Sequence, residues 1–392
     1  MSTPLDLSYI LNHLGEDRDK YFQAVSPPVI QSSNFYFKSV NALRHDIADE
    51  LSNRIYTRGN NPTTEILRKK LAALEQAEDA LVFASGIAAV AAAVLAFVKQ
   101  GAHIVSVKSV YSWTTHLFVD YLPRFGVETT FVDGKDLQAI EDAIRPETTI
   151  LYLESPTTML FELQDLDACA QIAKRHGLVS MIDNSCCSPI YQRPISHGID
   201  LSIHSATKFI NGHSDVVMGT ICGSKRHIHH IFNTEFMNIG GIVSPHDAAL
   251  VIRGLRTLPL RVKQSFDSAL QIVEFFKHHP KVLQVNYAYH PDHPQYVIAN
   301  KQMDGQPGLF SVLFKADSIQ QMEAFIHRLK RFLIAVSWGG HESLVMPVCA
   351  FHGMPGGQDS PLPWNLVRFY IGLEEPEVLI EDLDQAMSVL PD

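Results

Sequence analysis

A lysine among small hydroxyl residues is the first candidate for covalent chemistry in this sequence. Lys208 lies in the segment SATKFINGHSD, three residues after Ser205 and directly after Thr207. A lysine amine that has lost its proton attacks carbonyl groups and forms a Schiff base. The hydroxyl groups of Ser205 and Thr207 can donate hydrogen bonds to a phosphate. Taken alone, the segment fits a solvent-exposed lysine equally well, because most lysines lie at the surface.

An aspartate at the end of the preceding apolar run gives this lysine a partner. The run LVSMID (178–183) ends in Asp183. Sites in open α/β sheets form outside the carboxyl ends of the strands, although an aspartate there also commonly caps a turn. Asp183 lies one predicted strand before Lys208, so both side chains are expected at the same edge of the sheet. This pair matches pyridoxal phosphate (PLP), which needs a Schiff-base lysine and an acid at its ring nitrogen.

Three further segments supply candidate contacts for such a cofactor. Ser85-Gly86 precedes an Ala-rich stretch, and backbone amides at a helix N-terminus bind phosphate. Tyr56 and Arg58 lie in a polar loop, where an arginine offers a planar fork to phosphate. Tyr111 follows a strand and can stack on a ring, and its phenol can move protons if a nearby cation lowers its pKa from about 10. Each segment also has an ordinary interpretation: a helix start, a surface turn and a packed aromatic side chain.

An arginine inside an apolar strand predicts an anion-binding position. Arg368 lies within LVRFYI (366–371), and a buried guanidinium is costly unless it pairs with an anion. The α-carboxylate of an amino acid would be that anion. Ser337 and Trp338 lie in the other candidate loop. His341 in the same loop has no HxxxH or cysteine partner at metal-ligand spacing, so no metal site is predicted.

The elements that must position these residues alternate between short apolar runs and amphipathic helices. This alternation predicts βαβ units and a largely parallel sheet, an α/β fold. Pro62, capped by Asn61, predicts a helix that ends near Ala77. The predicted strands are LVFA (81–84), HIVSV (103–107), ETTFV (128–132), TILYLE (149–154), LVSMID (178–183), LSIHS (201–205) and VVMGTIC (216–222).

The rhythm changes after about residue 257, which predicts a smaller C-terminal α+β domain. A long helix over 263–278 begins this part, and a helix over 377–390 ends it. The chain is therefore divided into an N-terminal arm (1–60), a cofactor-binding domain (61–256) and a C-terminal domain (257–392). Between the two C-terminal helices lie predicted strands at 309–314 and 366–371 and a predicted helix at 319–329.

Composition and charge exclude several other classes of protein. The net charge of -10 argues against a nucleic-acid surface and gives no polybasic membrane anchor. Acidic residues interrupt the N-terminal segment, so a signal peptide is not expected, and the apolar stretch 87–98 is too short to span a bilayer. The five cysteines form no CxxC pair, which predicts reduced thiols and a cytoplasmic location.

With these motifs in place, the chain resembles the PLP enzymes of cysteine and methionine metabolism. That family includes cystathionine γ-synthase, cystathionine β- and γ-lyases and methionine γ-lyase. The resemblance extends from PPVIQSSNFYF (27–37) to IGLEEPEVLIEDLDQAM (371–387), with the motifs in the family's order. It implies PLP as the cofactor and the aminotransferase-like fold of PLP enzymes (fold type I), with a mostly parallel seven-stranded sheet in the large domain.

The resemblance implies a role for each candidate at the cofactor. Lys208 carries the cofactor, Asp183 pairs with the ring nitrogen, and Tyr111 stacks on the ring. The residues that the resemblance assigns to the phosphate are Gly86, Ile87, Ser205 and Thr207.

The resemblance also implies a second subunit and a substrate position. Tyr56 and Arg58 reach the phosphate of the neighbouring subunit, so the site needs a homodimer, usually within a tetramer that is a dimer of dimers. Arg368 binds the carboxylate of a small amino-acid substrate, helped by the backbone near Ser337. Trp338 completes the predicted substrate contacts.

Three departures from the family pattern bear on the reaction. Thr158 replaces the asparagine that hydrogen-bonds the cofactor O3′, and Trp113 stands in the usual Tyr-Gly-Gly-Thr motif, where it narrows the distal pocket. Val336 occupies a position where γ-enzymes acting on cystathionine tend to have glutamate. Methionine γ-lyase resembles this chain here, because it also lacks that glutamate. In contrast, Ser337-Trp338-Gly-Gly and GLRTLPLRV (254–262) most resemble bacterial cystathionine β-lyase.

The sequence therefore favours a carbon–sulfur lyase that converts L-cystathionine to homocysteine, pyruvate and ammonia by β-elimination. The alternative is γ-chemistry, either methionine or cystathionine γ-lysis or γ-replacement on an O-acylhomoserine. A third interpretation is a non-catalytic relative that has kept the fold, and the intact Lys208, Asp183 and Arg368 argue against it.

Overall fold

A seven-stranded sheet forms the centre of the large domain. The structure is a computed structural model, and it describes residues 5–354 and 360–391. The lateral order is β1-β7-β6-β5-β4-β2-β3, with β7 antiparallel to both of its neighbours and the other pairs parallel. The predicted mostly parallel sheet is confirmed. Its strands are β1 Asp79–Phe83, β2 His103–Val107, β3 Glu128–Val132, β4 Thr148–Glu154, β5 Val179–Asp183, β6 Leu201–Ser205 and β7 Gly219–Gly223.

The predicted strand at 216–222 begins too early. Strand β7 starts only at Gly219, because Met218 is already bonded elsewhere. Its amide donates to the Thr207 hydroxyl at 3.0 Å, and its carbonyl accepts from the Thr207 amide at 3.1 Å. Apolar residues 216–218 therefore hold the turn that carries Lys208, and the sheet ladder begins after them.

Helices flank this sheet and continue into the C-terminal part of the chain. The predicted helix after Pro62 is present, with Asn61 as its cap, but it ends at Leu74. The long helix predicted from 263 already begins at Leu258. The helices are α1 Leu7–Asn12, α2 Val40–Asp46, α3 Pro62–Leu74, α4 Gly86–Leu95, α5 Ser112–His116, α6 Leu137–Asp142, α7 Leu166–His176, α8 Ser188–Tyr191, α9 Lys225–Ile231, α10 Met237–Ile239, α11 Pro245–Leu255, α12 Leu258–His278, α13 Tyr296–Gln302, α14 Ile319–Arg328 and α15 Pro376–Met387.

Two groups of buried side chains hold the helices on the large sheet. Helices α4, α7 and α9 share one apolar core with the sheet, and the small side chains of Ala89, Ala92 and Ala93 let α4 approach closely. Helices α1, α3 and α11 share a second core with β1, β7 and the turn after β6. The large sheet is therefore covered by helices, as parallel sheets generally are.

A second, five-stranded sheet lies in the C-terminal part of the chain. Helices α12, α14 and α15 pack against it and share one apolar core with it. Its order is β10-β11-β12-β9-β8, and β10–β11 is its parallel pair among otherwise antiparallel ones. This agrees with the α+β pattern expected after residue 257. The strands are β8 Val282–Asn286, β9 Leu309–Phe314, β10 Leu333–Ile334, β11 Leu344–Pro347 and β12 Leu366–Tyr370.

The N-terminal arm is more ordered than its weak periodicity suggested. Helix α1 is capped by Asp6 and packs on α3. The fully buried Lys70 amine donates to the carbonyls of Ile10 and Leu11, each at 3.0 Å, and lies 3.1 Å from the Glu16 carboxylate. The buried charge of Lys70 is thus satisfied by the arm, which explains why a lysine is tolerated there.

Candidate active site

The carboxyl edge of the large sheet gathers the polar residues predicted from the sequence. Strands β4, β5 and β6 are parallel neighbours, and Glu154, Asp183 and Ser205 are their last residues. Glu154 and Asp183 are direct partners in the strand register. Lys208 follows β6 within the next turn, where its amide donates to the Ser205 carbonyl at 3.1 Å. The sheet therefore brings the predicted lysine and acid to one edge.

The Lys208 amine is held by residues of the loop before β11. Its Nζ donates to the Ser337 hydroxyl at 2.5 Å and lies 5.4 Å from the centre of the Trp338 ring. Trp338 in turn packs on Phe209, with ring centres 5.4 Å apart. Burial, with a smaller contribution from Arg368, lowers the pKa of Lys208 to about 8. The amine is therefore easily deprotonated, as a Schiff-base lysine requires.

Close backbone contact fixes this loop against the Lys208 turn. Ser337 has φ of 80°, a left-handed conformation that costs a residue with a side chain of the order of 1–3 kcal/mol. Gly339 has φ of +88°, and a Cβ there would lie 2.7 Å from the Phe209 nitrogen. Such strain concentrates at functional sites, where the surroundings enforce it. The Ser337 hydroxyl is presented to Lys208 by this enforced turn.

An anion cradle lies beside the lysine, at the N-terminus of α4. Ser85 caps this helix, accepting from the Ala88 amide at 3.1 Å. A Cβ on Gly86 would lie 2.8 Å from the Ser205 Cβ, so only glycine allows the helix start to meet the end of β6. Free amides of a helix N-terminus, with the hydroxyls of Ser205 and Thr207 nearby, suit a phosphate. Ile87, the next predicted contact, is half-buried in the first turn of α4.

Asp183 is the buried acid at the end of β5. Its side chain is 9% exposed, and one oxygen accepts from the Ser185 amide at 2.9 Å. Burial raises the pKa of Asp183, while that hydrogen bond and the nearby charges of His204 and Lys208 oppose the rise. A buried carboxylate is stabilised by a positive partner, and a protonated ring nitrogen is such a partner.

Tyr111 stands at the entrance, between β2 and α5. It is 43% exposed, and its backbone amide donates to the Glu154 carboxyl at 2.7 Å. Burial, together with the charges of Asp183 and Glu154, raises the pKa of Tyr111. The phenol was expected to lose its proton only beside a cation, whereas in the structure the carboxyl groups of Asp183 and Glu154 lie near it. Tyr111 therefore keeps its proton and can act only as a donor near neutral pH.

Arg368 comes to the site from β12, in the second sheet. It is 8% exposed, and its Nη2 donates to the Ser337 carbonyl at 3.0 Å. Burial lowers the pKa of Arg368 to about 10. Within residues 5–354 and 360–391, no carboxylate lies within 4 Å of its guanidinium. The guanidinium thus has room for an anionic ligand, as its position in an apolar strand predicted.

Tyr56 and Arg58 lie apart from this group. Both are exposed, and the Arg58 guanidinium lies 5.8 Å from the centre of the Tyr56 ring. In the described part of the chain, neither side chain hydrogen-bonds to Lys208, Asp183 or the cradle residues. Their predicted contribution to the site of a neighbouring subunit remains a prediction.

Some residues at this edge escaped the sequence analysis. Behind Asp183, the Asn184 amide donates to Glu75 at 3.0 Å and to the Gln192 carbonyl at 2.8 Å, and His204 hydrogen-bonds to the same Glu75 oxygen. All of these side chains are buried. The available signal was a histidine in an apolar strand, which by itself does not reveal a partner more than 100 residues away.

The described residues contain no group of three or more histidine, cysteine, aspartate or glutamate side chains arranged to hold a metal ion. They also contain no helix that is both long and apolar enough to cross a bilayer.

The fold and the edge-of-sheet site define a class of protein, the PLP-dependent enzymes of fold type I. A solved structure supports this classification. The crystal structure described as metB from Corynebacterium glutamicum superposes with a TM-score of 0.91 at 33% sequence identity, covering 98% of this chain and 99% of that one.

The family within this class is equally clear. The family model described as "Cys/Met metabolism PLP-dependent enzyme" matches residues 9–388. Cystathionine gamma-lyase of Sus scrofa is 35% identical, covering 96% of this chain and 92% of that protein. L-methionine gamma-lyase of Pseudomonas putida is 33% identical, covering 96% of each. The chain belongs to the Cys/Met metabolism PLP-dependent enzymes, its cofactor is PLP, and the predicted family is confirmed.

Proposed function

We propose that this PLP-dependent enzyme of sulfur amino-acid metabolism is a carbon–sulfur lyase whose main reaction is β-elimination from L-cystathionine. The observation that carries the proposal is the restraint on Lys208 by Ser337 and Trp338. β-Elimination needs one proton abstraction, at Cα. γ-Chemistry needs a second, at Cβ, and therefore a lysine that moves between two carbons. A lysine that lies beside the Trp338 ring and the Ser337 hydroxyl supports the single abstraction.

The chain's own residues fit the cofactor. The α4 N-terminus with Gly86, Ile87, Ser205 and Thr207 would hold the phosphate, Asp183 the ring nitrogen and Lys208 the carbonyl carbon. Tyr111 would cover one face of the ring. When bound, PLP accepts the electron pair left at Cα as the substrate loses its proton.

Protein side chains supply the remaining steps. Arg368 binds the substrate carboxylate and orients the Cα–H bond. The Lys208 amine, released when the substrate amine takes its place, removes that proton. The electron pair from Cα then forms a Cα=Cβ double bond as the Cβ–S bond breaks, and the sulfur keeps the electrons of the broken bond. The phenol of Tyr111, which retains its proton, or the protonated Lys208 donates a proton to the leaving thiolate. Water completes the conversion to pyruvate and ammonia, with homocysteine as the thiol product.

A second candidate is γ-elimination or γ-replacement, including methionine γ-lysis. Val336, 70% exposed in the loop before Ser337, offers an apolar contact to an uncharged γ-substituent. The two curated relatives are also named as γ-lyases. These observations favour a substrate such as methionine over one with a second amino group.

Product identity distinguishes the two candidates. The purified enzyme is incubated with cystathionine, cystine, methionine and O-acylhomoserines, and the keto acid is identified by chromatography. We expect pyruvate and homocysteine from cystathionine. If cystathionine gives only 2-oxobutyrate and cysteine, the β-lyase proposal is wrong and γ-elimination replaces it.

Three further proposals concern organisation. We propose the division into an arm (1–60), a PLP-binding domain (61–256) and a C-terminal domain (257–392). The enzyme would be a homo-oligomer, most simply a dimer of dimers, in which Tyr56 and Arg58 complete the phosphate site of a neighbour. We also propose a role in methionine biosynthesis and a cytoplasmic location, and the five buried, unpaired cysteines support the location. Light scattering of the wild type and of Arg58→Ala, with PLP titration, tests the shared site.

A further inference from the structure

A second buried carboxyl group lies next to Asp183, and the proposed mechanism does not use it. Glu154 ends β4 and is 5% exposed. It is the direct register partner of Asp183 on the parallel strand β5. Register partners on neighbouring strands point to the same face of a sheet. The two carboxyl groups therefore share one face at the edge where the cofactor binds.

Hydrogen bonds join Glu154 to two segments outside the sheet. One carboxyl oxygen accepts from the backbone amide of Tyr111 at 2.7 Å. The other accepts from the Thr158 amide at 2.7 Å and pairs with the Thr158 hydroxyl at 2.5 Å. Tyr111 is the N-cap residue directly before α5, so this bond fixes the backbone from which its ring projects. Glu154 thus ties the ring-covering residue and the turn after β4 to the strand end.

Two buried carboxyl groups on register partners oppose each other's ionisation. Burial and the charge of Asp183 raise the pKa of Glu154 to about 8. The cations that face the pair, His204 and Lys208, act on Asp183. The phenols of Tyr111 and Tyr152 also face the pair, and burial raises the pKa of each, so both are neutral. Burial and the neighbouring carboxyl group therefore favour the protonated form of Glu154 near neutral pH.

Thr158 is suited to a partner that changes its protonation. A hydroxyl donates to a carboxylate and accepts from a carboxylic acid, so it satisfies Glu154 in both states. The asparagine expected here from the family resemblance has an amide in which donor and acceptor are fixed. The departure at Thr158 thus has a structural consequence, because its side chain hydrogen-bonds to Glu154.

We propose that Glu154 is a positioning residue of this active site, which holds the backbone of Tyr111 and the Thr158 turn in place beside Asp183. The proposal rests on the assignment of Asp183 and Tyr111 to the cofactor. It does not depend on whether a β- or a γ-carbon–sulfur bond is broken.

The test compares four variants of the PLP-loaded enzyme. Glu154→Gln keeps the size of the side chain but turns one acceptor into a donor, and Thr158→Val removes the hydroxyl. Thr149→Val is the matched control, because Thr149 is a half-buried residue on the same strand whose buried hydroxyl has no hydrogen-bond partner among the described residues. Glu128→Gln controls for loss of a carboxylate at an exposed site on β3.

Two readouts report on position. The first is circular dichroism in the absorption band of bound PLP, which depends on how protein groups surround the ring. The second is the division of the effect between kcat and KM. We expect Glu154→Gln to change the dichroism and to lower kcat about tenfold or more, the effect of losing a hydrogen bond to a charged or strongly polar group. KM changes little, because Arg368 still binds the substrate, and both control variants match the wild type.

Infrared spectroscopy reports on the charge. Wild-type enzyme should have a carboxylic-acid C=O band that disappears as the pH is raised through about 8, and Glu154→Gln should lack it. A Glu154→Gln enzyme with wild-type dichroism, kcat and infrared band overturns the proposal. If this variant does not fold, a folded Thr158→Val enzyme with wild-type dichroism and kcat also overturns it. Failure of wild-type protein to bind PLP would instead refute the cofactor assignments on which the proposal rests.

Discussion

Replacing Arg368 by methionine tests the substrate-binding part of the site. Methionine has a similar length and no charge, so the apolar surroundings on β12 are preserved. In the structure the guanidinium keeps one hydrogen bond, to the Ser337 carbonyl at 3.0 Å, and has donors left for a ligand. The variant therefore loses the hydrogen bond to Ser337 and the interaction with the substrate carboxylate, and only the second depends on the substrate.

The expected magnitude follows from the geometry of the pair. Arg–carboxylate pairs form two parallel hydrogen bonds, and each charge-assisted bond contributes about 1.5–3 kcal/mol. Two such bonds amount to about 3–6 kcal/mol, and each 1.36 kcal/mol changes a rate constant about tenfold. We expect kcat/KM to fall by roughly 10²- to 10⁴-fold. The pKa of Lys208 should also rise, since the Arg368 charge helps to lower it.

The assay measures kcat/KM for the best carbon–sulfur substrate and for its analogue without the α-carboxylate. Arg331→Met, which changes an exposed arginine of the C-terminal part, serves as the control. The variant should lose its preference for the carboxylate substrate while retaining bound PLP. A loss of less than tenfold, or an equal loss for both substrates, would contradict the role given to Arg368.

Three other perturbations have defined outcomes. Lys208 is less basic in the fold (pKa about 8) than when unfolded (10.5), so its stability contribution is present above 10.5 and is lost as the pH falls through about 8. At pH 7 the free energy of unfolding of cofactor-free Lys208→Met, measured by denaturant titration, should therefore exceed that of wild type by roughly 1–3 kcal/mol. A difference that does not shrink towards pH 10.5 would refute this. Gly339→Ala, whose Cβ would lie 2.7 Å from the Phe209 nitrogen, should weaken PLP binding, and an unchanged Kd for PLP would contradict the close approach. His204→Leu leaves the Glu75 carboxylate buried without its histidine, which should lower the free energy of unfolding by about 3–5 kcal/mol; a melting temperature within a degree of wild type would argue against the pair.

The parts predicted correctly from the sequence have local signals. The strands at 103–107, 128–132 and 201–205 match at both ends, because short segments that mix apolar and β-branched residues are typical of strands. Lys208 and Asp183 were found for the same reason, since each follows such a run. Arg368 was found as a charge in an apolar strand, and the structure places it beside Ser337.

The parts that were missed depend on contacts between distant segments or on weak patterns. Strand β8 is largely exposed and β10 has two residues, so neither has a clear alternation. Glu154 was not predicted as a site residue, because its partners come from the segment after β2 and from the turn after its own strand. The left-handed Ser337 is enforced by packing against the Lys208 turn, and no residue-type preference predicts it.

The central claim is that Lys208 carries the cofactor, and one measurement tests it directly. The PLP-loaded enzyme is reduced with borohydride, digested and analysed by mass spectrometry. The account predicts a pyridoxyl group on the peptide that contains Lys208, and no visible absorption band in Lys208→Ala. A label on another lysine, or an unchanged band in the variant, would contradict it.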